Sequence, residues 1–202
     1  MKILTILCII ILLFSLPVIL VAGCQKQTTP ASSPSPDSLP TVKPALETKT
    51  YANSEHGFSV EYPADWDKND SFTEKEKLMG LLVIFEGPKS TKYDRRASIV
   101  IEADECPSDY TVEEYAKAVE LQILKKNFKD YSNLQEQQTT IGGIPALMKT
   151  FTATINNFPY KDIQAYFIKG NLAYAITYEV TTDSYDKYID CFDLVKSTFK
   201  FD

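Results

Sequence analysis

Histidine is almost absent from this chain of 202 residues, which contains only His56. Any histidine-activated serine or cysteine nucleophile, or histidine-rich zinc site, would therefore have to be built on that residue. His56 stands directly before Gly57, where a turn residue is the ordinary interpretation. The sequence also lacks the G-x-S-x-G, H-E-x-x-H and phosphate-loop patterns. These absences argue against an enzyme, and we predict no catalytic residue, metal ligand or cofactor.

Positive charge is scarce in the larger part of the chain. Residues 51–202 contain 17 basic and 25 acidic residues, which gives a net charge of −8. Such a surface repels nucleic-acid backbones and anionic lipid headgroups unless it carries a local basic patch. Only Lys125, Lys126 and Lys129 lie close together in sequence, which is too few. We therefore expect no nucleic-acid partner.

Long hydrophobic runs are confined to the N-terminus. Lys2 precedes an apolar run over residues 3–20, which is typical of a secretory signal peptide. The segment Val21-Ala22-Gly23-Cys24 resembles the lipobox of prokaryotic lipoproteins. This resemblance implies that residues 1–23 are removed and that Cys24 receives a lipid, which would hold the chain on the outer side of the cell membrane. An uncleaved signal anchor would place the rest of the chain on the same side.

A tether is predicted for residues 24–50, followed by one folded domain over residues 51–202. The tether contains five prolines among small and polar residues, namely Pro30, Pro34, Pro36, Pro40 and Pro44. Such a segment has too little apolar surface to fold and favours extended conformations of about 3.1 Å per residue. The domain would therefore stand clear of the bilayer.

Strand and helix signals alternate after residue 51. Phe58, Val60 and Tyr62 share one face of a first strand, and Thr111 with Glu114 forms a capping box for a helix that extends to about Phe128. Further strands are predicted at 81–85, 97–103, 134–140, 144–155, 159–168 and 172–180, and a last helix near Ser184. We predict an α/β (α+β) fold with a central antiparallel sheet of about six to seven strands covered by two main helices.

Four segments together resemble the PsbP-like family. They are G-F-S-V-E-Y-P-A-D-W at 57–66, I-G-G-I-P-A at 141–146, Y-A-I-T-Y at 174–178 and S-T-F at 197–199. The resemblance implies an α/β sandwich with non-enzymatic character. The best-known members are extrinsic subunits of photosystem II that support its calcium, chloride and manganese cluster, while many prokaryotic chains with this pattern are lipoproteins of unassigned role.

Two cysteines remain besides Cys24 and Cys8 of the leader. Cys106 follows a predicted strand and Cys191 lies in the last predicted helix. In an oxidising compartment they could form a disulfide, which would stabilise the fold by up to about 4 to 5 kcal/mol in the chain-entropy model. They could equally remain buried thiols.

Two acidic clusters and one tryptophan are further candidates. Asp183, Asp186, Asp190 and Asp193 recur along the last helix, and Glu102, Asp104 and Glu105 lie at a strand end. Calcium binds such oxygens, but a solvated surface is the simpler interpretation. Trp66 could contact a partner from a polar loop, or it could fold back onto the sheet.

These observations favour a membrane-anchored, non-catalytic domain that binds a protein partner or stabilises an envelope complex. The main alternative is a protein that binds a small ligand or a divalent cation. A hydrolase that uses the paired carboxylates Glu102 and Glu105 ranks below both.

Overall fold

The structure is a computed structural model that describes residues 46–90 and 92–202. The predicted signal peptide, Cys24 and the tether up to residue 45 lie outside the described residues. The first strand begins at Thr48, three residues before the predicted start of the domain.

The described elements follow one another as strands with few helices between them. In chain order they are β1 (Thr48–Asn53), β2 (Phe58–Pro63), β3 (Asp67–Asn69), α1 (Glu74–Leu78), β4 (Leu81–Lys89), β5 (Arg96–Glu105), α2 (Val112–Val119), β6 (Lys129–Ile141), β7 (Ile144–Ile155), β8 (Phe158–Lys169), β9 (Leu172–Glu179), α3 (Tyr185–Thr198) and β10 (Lys200–Phe201). Helix α2 continues through a π-helical turn (Glu120–Leu124) into a last turn (Lys125–Asn127).

Seven strands form one large antiparallel sheet in the order β3-β4-β5-β9-β8-β7-β6. A smaller sheet contains β1, β2 and β10. Strands β6 and β7 are joined by Gly142 and Gly143, which both have positive φ, as a two-residue hairpin turn requires. The predicted antiparallel sheet with two main helices is confirmed. Sequence reasoning missed the short elements β3, α1 and β10, and also the six-residue strand β1.

One side of the large sheet, which we call the aromatic face, carries Ile99, Phe167, Ile176 and Tyr178. Helix α3 and the small sheet cover this face, and their side chains join the same hydrophobic cluster. Aromatic rings from these layers are in contact, as for Phe192 and Tyr178, whose centroids lie 5.8 Å apart. The main hydrophobic core therefore lies between this face and α3.

The opposite side, which we call the polar face, lies beneath α2 and its π-helical turn. The Thr111 and Glu114 capping box is present and starts this helix as predicted. Tyr115, Val119 and Leu124 are buried against the sheet. Under this apolar helix surface the sheet carries polar and ionisable side chains, which sets it apart from the aromatic face.

Candidate functional site

The strand register aligns polar side chains across the polar face. Thr177 of β9 lies opposite Gln164 of β8, Gln164 lies opposite Lys149 of β7, and Lys149 lies opposite Glu136 of β6. The first three are at most 3% exposed. A row of polar groups therefore runs from the centre of the sheet to its β6 edge.

Glu102 of β5 is buried on the same face, close to the centre of the sheet. It is 0% exposed, and no described residue donates a hydrogen bond to either of its carboxyl oxygens. Burial, with a smaller contribution from the charge of Asp104, raises the pKa of Glu102 well above its ordinary value. An unpaired buried carboxylate is costly, so this group is expected to hold its proton at neutral pH.

A second pair of buried carboxyls lies beside this row. Ile163 pairs with Tyr178, and the next step of the same register places Asp162 opposite Glu179. Both are 2% exposed, and Asp162 accepts a hydrogen bond of 3.1 Å from the N–H of Val180. Burial raises the pKa of both carboxyls well above the ordinary range, and the charge of Asp162 raises that of Glu179 further.

Lys149 forms the centre of a buried ion-pair cluster near the β6 edge. Its Nζ lies 2.5 Å from Glu120 Oε2 and 3.0 Å from Glu136 Oε1, and its side chain is 4% exposed. Lys125 pairs with the other oxygen of Glu120 at 2.6 Å. Burial acts to raise the pKa of Glu120, but hydrogen bonds from both lysines outweigh it, and the pKa is lowered.

A cleft opens above this cluster, between the helix and strands β6 and β7. Its volume is about 320 Å³. Three carboxylates and three lysines line it together with two leucines: Glu113, Glu120, Glu136, Lys117, Lys125, Lys149, Leu121 and Leu147. Leu121 is 48% exposed. Solvent therefore reaches the polar face at this cleft, and its three carboxylates and three lysines balance in charge.

The π-helical turn Glu120–Leu124 contributes Glu120 and Leu121 to the helical wall of this cleft, beside residues of α2 and of the last turn. Its first residue, Glu120, bonds to Lys149, while Ile123 and Leu124 are both buried. π-helical turns occur mostly as single turns within α-helices and are frequent at functional sites. The cleft with its π-helical wall is our candidate functional site.

The possible disulfide between Cys106 and Cys191 is not formed in this structure. Cys106 belongs to the hydrophobic cluster beneath α2, whereas Cys191 belongs to the cluster between α3 and the aromatic face. The large sheet separates them, so no bond joins them. Both thiols are buried, which agrees with the alternative that they remain structural thiols.

Trp66 folds back onto the sheet and is 4% exposed. Its ring meets that of Tyr188 edge-on at 5.9 Å. A Cβ atom at Gly87 would lie 2.8 Å from the indole, so glycine is needed there to let the ring approach. Of the two alternatives for Trp66, the structure has the one in which the ring folds back, and Trp66 packs at the end of the aromatic core.

The remaining candidates are not gathered into one site. Glu102 and Glu105 are three residues apart in one strand and so point to opposite faces, which removes the predicted carboxylate pair. His56 is half-buried beside the Tyr174 hydroxyl at 3.4 Å, and burial lowers its pKa. Within residues 46–90 and 92–202, no group of three potential metal ligands is found.

Sequence reasoning missed Lys149, Glu120 and Glu136 as one cluster. The only signal was Lys149 within an otherwise half-buried strand, and its partners come from a helix and another strand. In the described part of the chain, no helix has the length and apolar character needed to cross a membrane.

The chain belongs to the PsbP-like protein family, which it matches over residues 3–201. It is similar to the solution structure of cyanobacterial PsbP (CyanoP) from Synechocystis sp., with a TM-score of 0.56 and 16% identity over 82% of this chain and 98% of that one. It is also similar to LpqN, which is involved in cell envelope biogenesis of Mycobacterium tuberculosis, with a TM-score of 0.57 and 12% identity over 77% and 90%. At these identities the likeness shows the fold. No curated protein matches the sequence.

Proposed function

We propose that this chain is a lipid-anchored protein on the outer side of the cell membrane and that its domain is a non-catalytic binding or accessory module for a protein partner. The observation that carries this proposal is the state of its ionisable groups. The carboxyls of Glu102, Asp162 and Glu179 are buried on the polar face, and Lys149 in the cleft is bound by Glu120 and Glu136. The domain thus offers a contact surface rather than groups poised for acid–base chemistry.

The anchor is supported by the leader and the Val21-Ala22-Gly23-Cys24 segment. The family match begins at residue 3 and therefore includes the leader together with the domain. LpqN, which shares the fold, is involved in envelope biogenesis, and this supports a role in the cell envelope here. A proline-rich tether would let the domain search for a partner around its point of attachment.

Mass spectrometry of the purified full chain tests the anchor. We expect a mature N-terminus at Cys24 with added lipid mass, and membrane fractionation should recover the chain with the membranes. The Cys24→Ala variant should carry no lipid and should not be recovered as the mature, membrane-anchored form. An intact leader on a chain from the soluble fraction, with no lipid mass, would contradict the proposal.

Cross-linking in intact cells, followed by gentle solubilisation, tests the binding role. We expect the full chain to recover a reproducible partner that a matched chain containing only residues 1–50 does not recover. If both chains recover the same proteins, or neither recovers any, the domain has no binding role of the proposed kind.

A small ligand in the cleft is the second candidate, because about 320 Å³ is within the lower part of the range of ligand sites. Calorimetry of the purified chain with hydrophobic ligands, calcium and zinc separates the two. Saturable binding that is lost in Lys149→Met but kept in Glu105→Gln would favour the ligand.

A further inference from the structure

The two edges of the large sheet are built differently. Strand β3 at one edge has three residues, and its Asp67 is paired with Arg96. Strand β6 at the other edge has 13 residues, and among the described residues only β7 pairs with it. Proteins usually protect sheet edges with short or charged strands, because a long unpaired edge accepts another strand. The β3 edge has this protection, whereas residues 137–141 of β6 carry no charge.

The hairpin turn defines which backbone groups of β6 face outward. Ile141 and Ile144 flank the two-residue turn and lie opposite each other, so they exchange hydrogen bonds. Hydrogen-bonded positions alternate along an antiparallel pair. Thr140, Gln138 and Glu136 therefore direct their N–H and C=O groups away from β7. The register is regular here, since its irregularities are confined to residues 129–135.

A groove lies on each side of this edge. The cleft above Lys149 borders it on the polar face, and Glu136 forms part of its wall. On the aromatic face, a second groove of about 290 Å³ separates β6 from α3, and Gln135, Gln137 and Thr139 line it. Side chains of an added strand alternate between the two faces. They would enter the mouths of these two grooves in turn.

We infer that residues 136–141, the β6 edge, bind an extended segment of a partner protein that adds to the sheet as an eighth strand. This inference rests on the proposed binding role and names its surface. Main-chain hydrogen bonds from the β6 edge would hold the segment, while the two grooves would select its side chains.

The charges beside the edge indicate the chemistry of the segment. Glu136 lies in β6, and Glu113 accepts a hydrogen bond of 3.3 Å from Gln138, so these two carboxylates are close to the edge. The other groove offers amide and hydroxyl groups beside apolar side chains such as Ile189, and its Asp193 and Lys196 pair with each other. The cleft as a whole is balanced in charge and Glu136 already pairs with Lys149, so a basic residue of the segment would meet Glu113 beside the edge. A segment with a basic residue toward Glu113 and neutral side chains toward the other groove is complementary to both. A second copy fits less well, because each domain has a net charge of −8.

Site-specific photo-cross-linking in cells that make the full anchored chain tests this inference. The cross-linking residue replaces Leu134, which is 54% exposed in β6, and in a parallel chain it replaces Lys68 of β3. Thr140→Pro removes an outward N–H, whereas Thr140→Ala keeps it. We expect an adduct from position 134 that decreases at least fivefold in Thr140→Pro and is unchanged in Thr140→Ala.

Each other result has a defined meaning. If Thr140→Pro leaves the adduct unchanged, or if position 68 forms it equally, the β6 edge is not the binding surface. The proposed binding role would remain intact. An adduct with twice the mass of the chain would identify a second copy and overturn the partner segment. The absence of any adduct from both position 134 and position 68 would contradict the binding role itself.

Thermal unfolding of the variants checks the assignment of the outward groups. The unfolding temperatures of Thr140→Pro and Gln138→Pro should be close to those of Thr140→Ala and Gln138→Ala. The reason is that the N–H groups of residues 138 and 140 lie outside the ladder with β7. If both proline variants fail to fold, those groups belong to the ladder and the inferred edge is wrong.

Discussion

The two faces of the large sheet are both buried, yet they are made of different side chains. The aromatic face packs Phe167, Ile176 and Tyr178 against α3 and the small sheet. The polar face buries Glu102 and Lys149 beneath α2 and its π-helical turn. Apolar burial stabilises by about 25 cal/mol per Å², whereas a buried ionisable group destabilises unless it is paired or neutral. Both faces bury apolar side chains, and on the polar face the ionisable groups offset part of the stability that its own apolar cluster with α2 provides.

Truncation on the aromatic face should have the largest effect. Phe192→Ala is expected to lower the free energy of unfolding by about 3 to 5 kcal/mol, because Phe192 is fully buried and stacks on Tyr178. Denaturant unfolding of the purified chain measures this, with Phe192→Leu as a milder control. A loss below about 1 kcal/mol would show that this face does not hold the main core.

Breaking the ion-pair cluster on the polar face should have the second-largest effect on the free energy of unfolding. Lys149→Met is expected to lower the free energy of unfolding by about 3 kcal/mol, because it leaves Glu120 largely buried with one lysine fewer. The double variant Lys149→Met with Glu120→Gln should recover part of that loss in the same denaturant assay. A single variant as stable as the wild type would contradict the role of the cluster.

The pH dependence of stability distinguishes the faces more sharply. The folded chain keeps a proton on Glu102 that the unfolded chain loses above about pH 4.3, so this contribution is present at low pH and is lost as pH rises toward the raised pKa. Its slope reaches at most about 1.4 kcal/mol per pH unit. Glu102→Gln cannot ionise and should flatten the curve of unfolding free energy against pH above the ordinary carboxyl range of about pH 4 to 5.

Glu105→Gln is the matched control for that measurement, since Glu105 is exposed on the same strand. Its curve should run parallel to that of the wild type. If Glu102→Gln also runs parallel, the buried carboxyl does not titrate differently in the folded and unfolded chains.

The rim of the cleft should matter least for stability. Leu121→Ser is expected to change the free energy of unfolding by less than about 0.5 kcal/mol, because Leu121 is half exposed and lies outside both cores. Thermal unfolding is sufficient to test it, with the buried Leu124→Ala as the contrasting variant. A large loss at Leu121 would mean that the rim is packed as a core.

Most of the fold could be predicted because its signals are local. Alternation at Phe58, Val60 and Tyr62 identifies β2, and the Thr111 capping box identifies the start of α2. Strand β3 and α1 were missed, since three and five residues are too few to show a period. The π-helical turn also gave no signal, because its residues continue an ordinary helical pattern.

The candidate site could not be predicted in the same way. Thr177, Gln164 and Lys149 are 13 to 15 residues apart along the chain, and they become neighbours only through the strand register. Each alone is an ordinary polar residue in a strand. Cys106 and Cys191 illustrate the converse, because nothing local to either residue shows that the sheet lies between them.

Infrared spectroscopy of the folded chain at neutral pH tests most directly whether the carboxyls buried on the polar face hold their protons. We predict a band from protonated carboxyl groups that loses intensity in Glu102→Gln and again in Glu179→Gln, because burial raises the pKa of both carboxyls. A spectrum with only ionised carboxylates, unchanged by either substitution, would contradict it and would reopen the polar face as a reactive site.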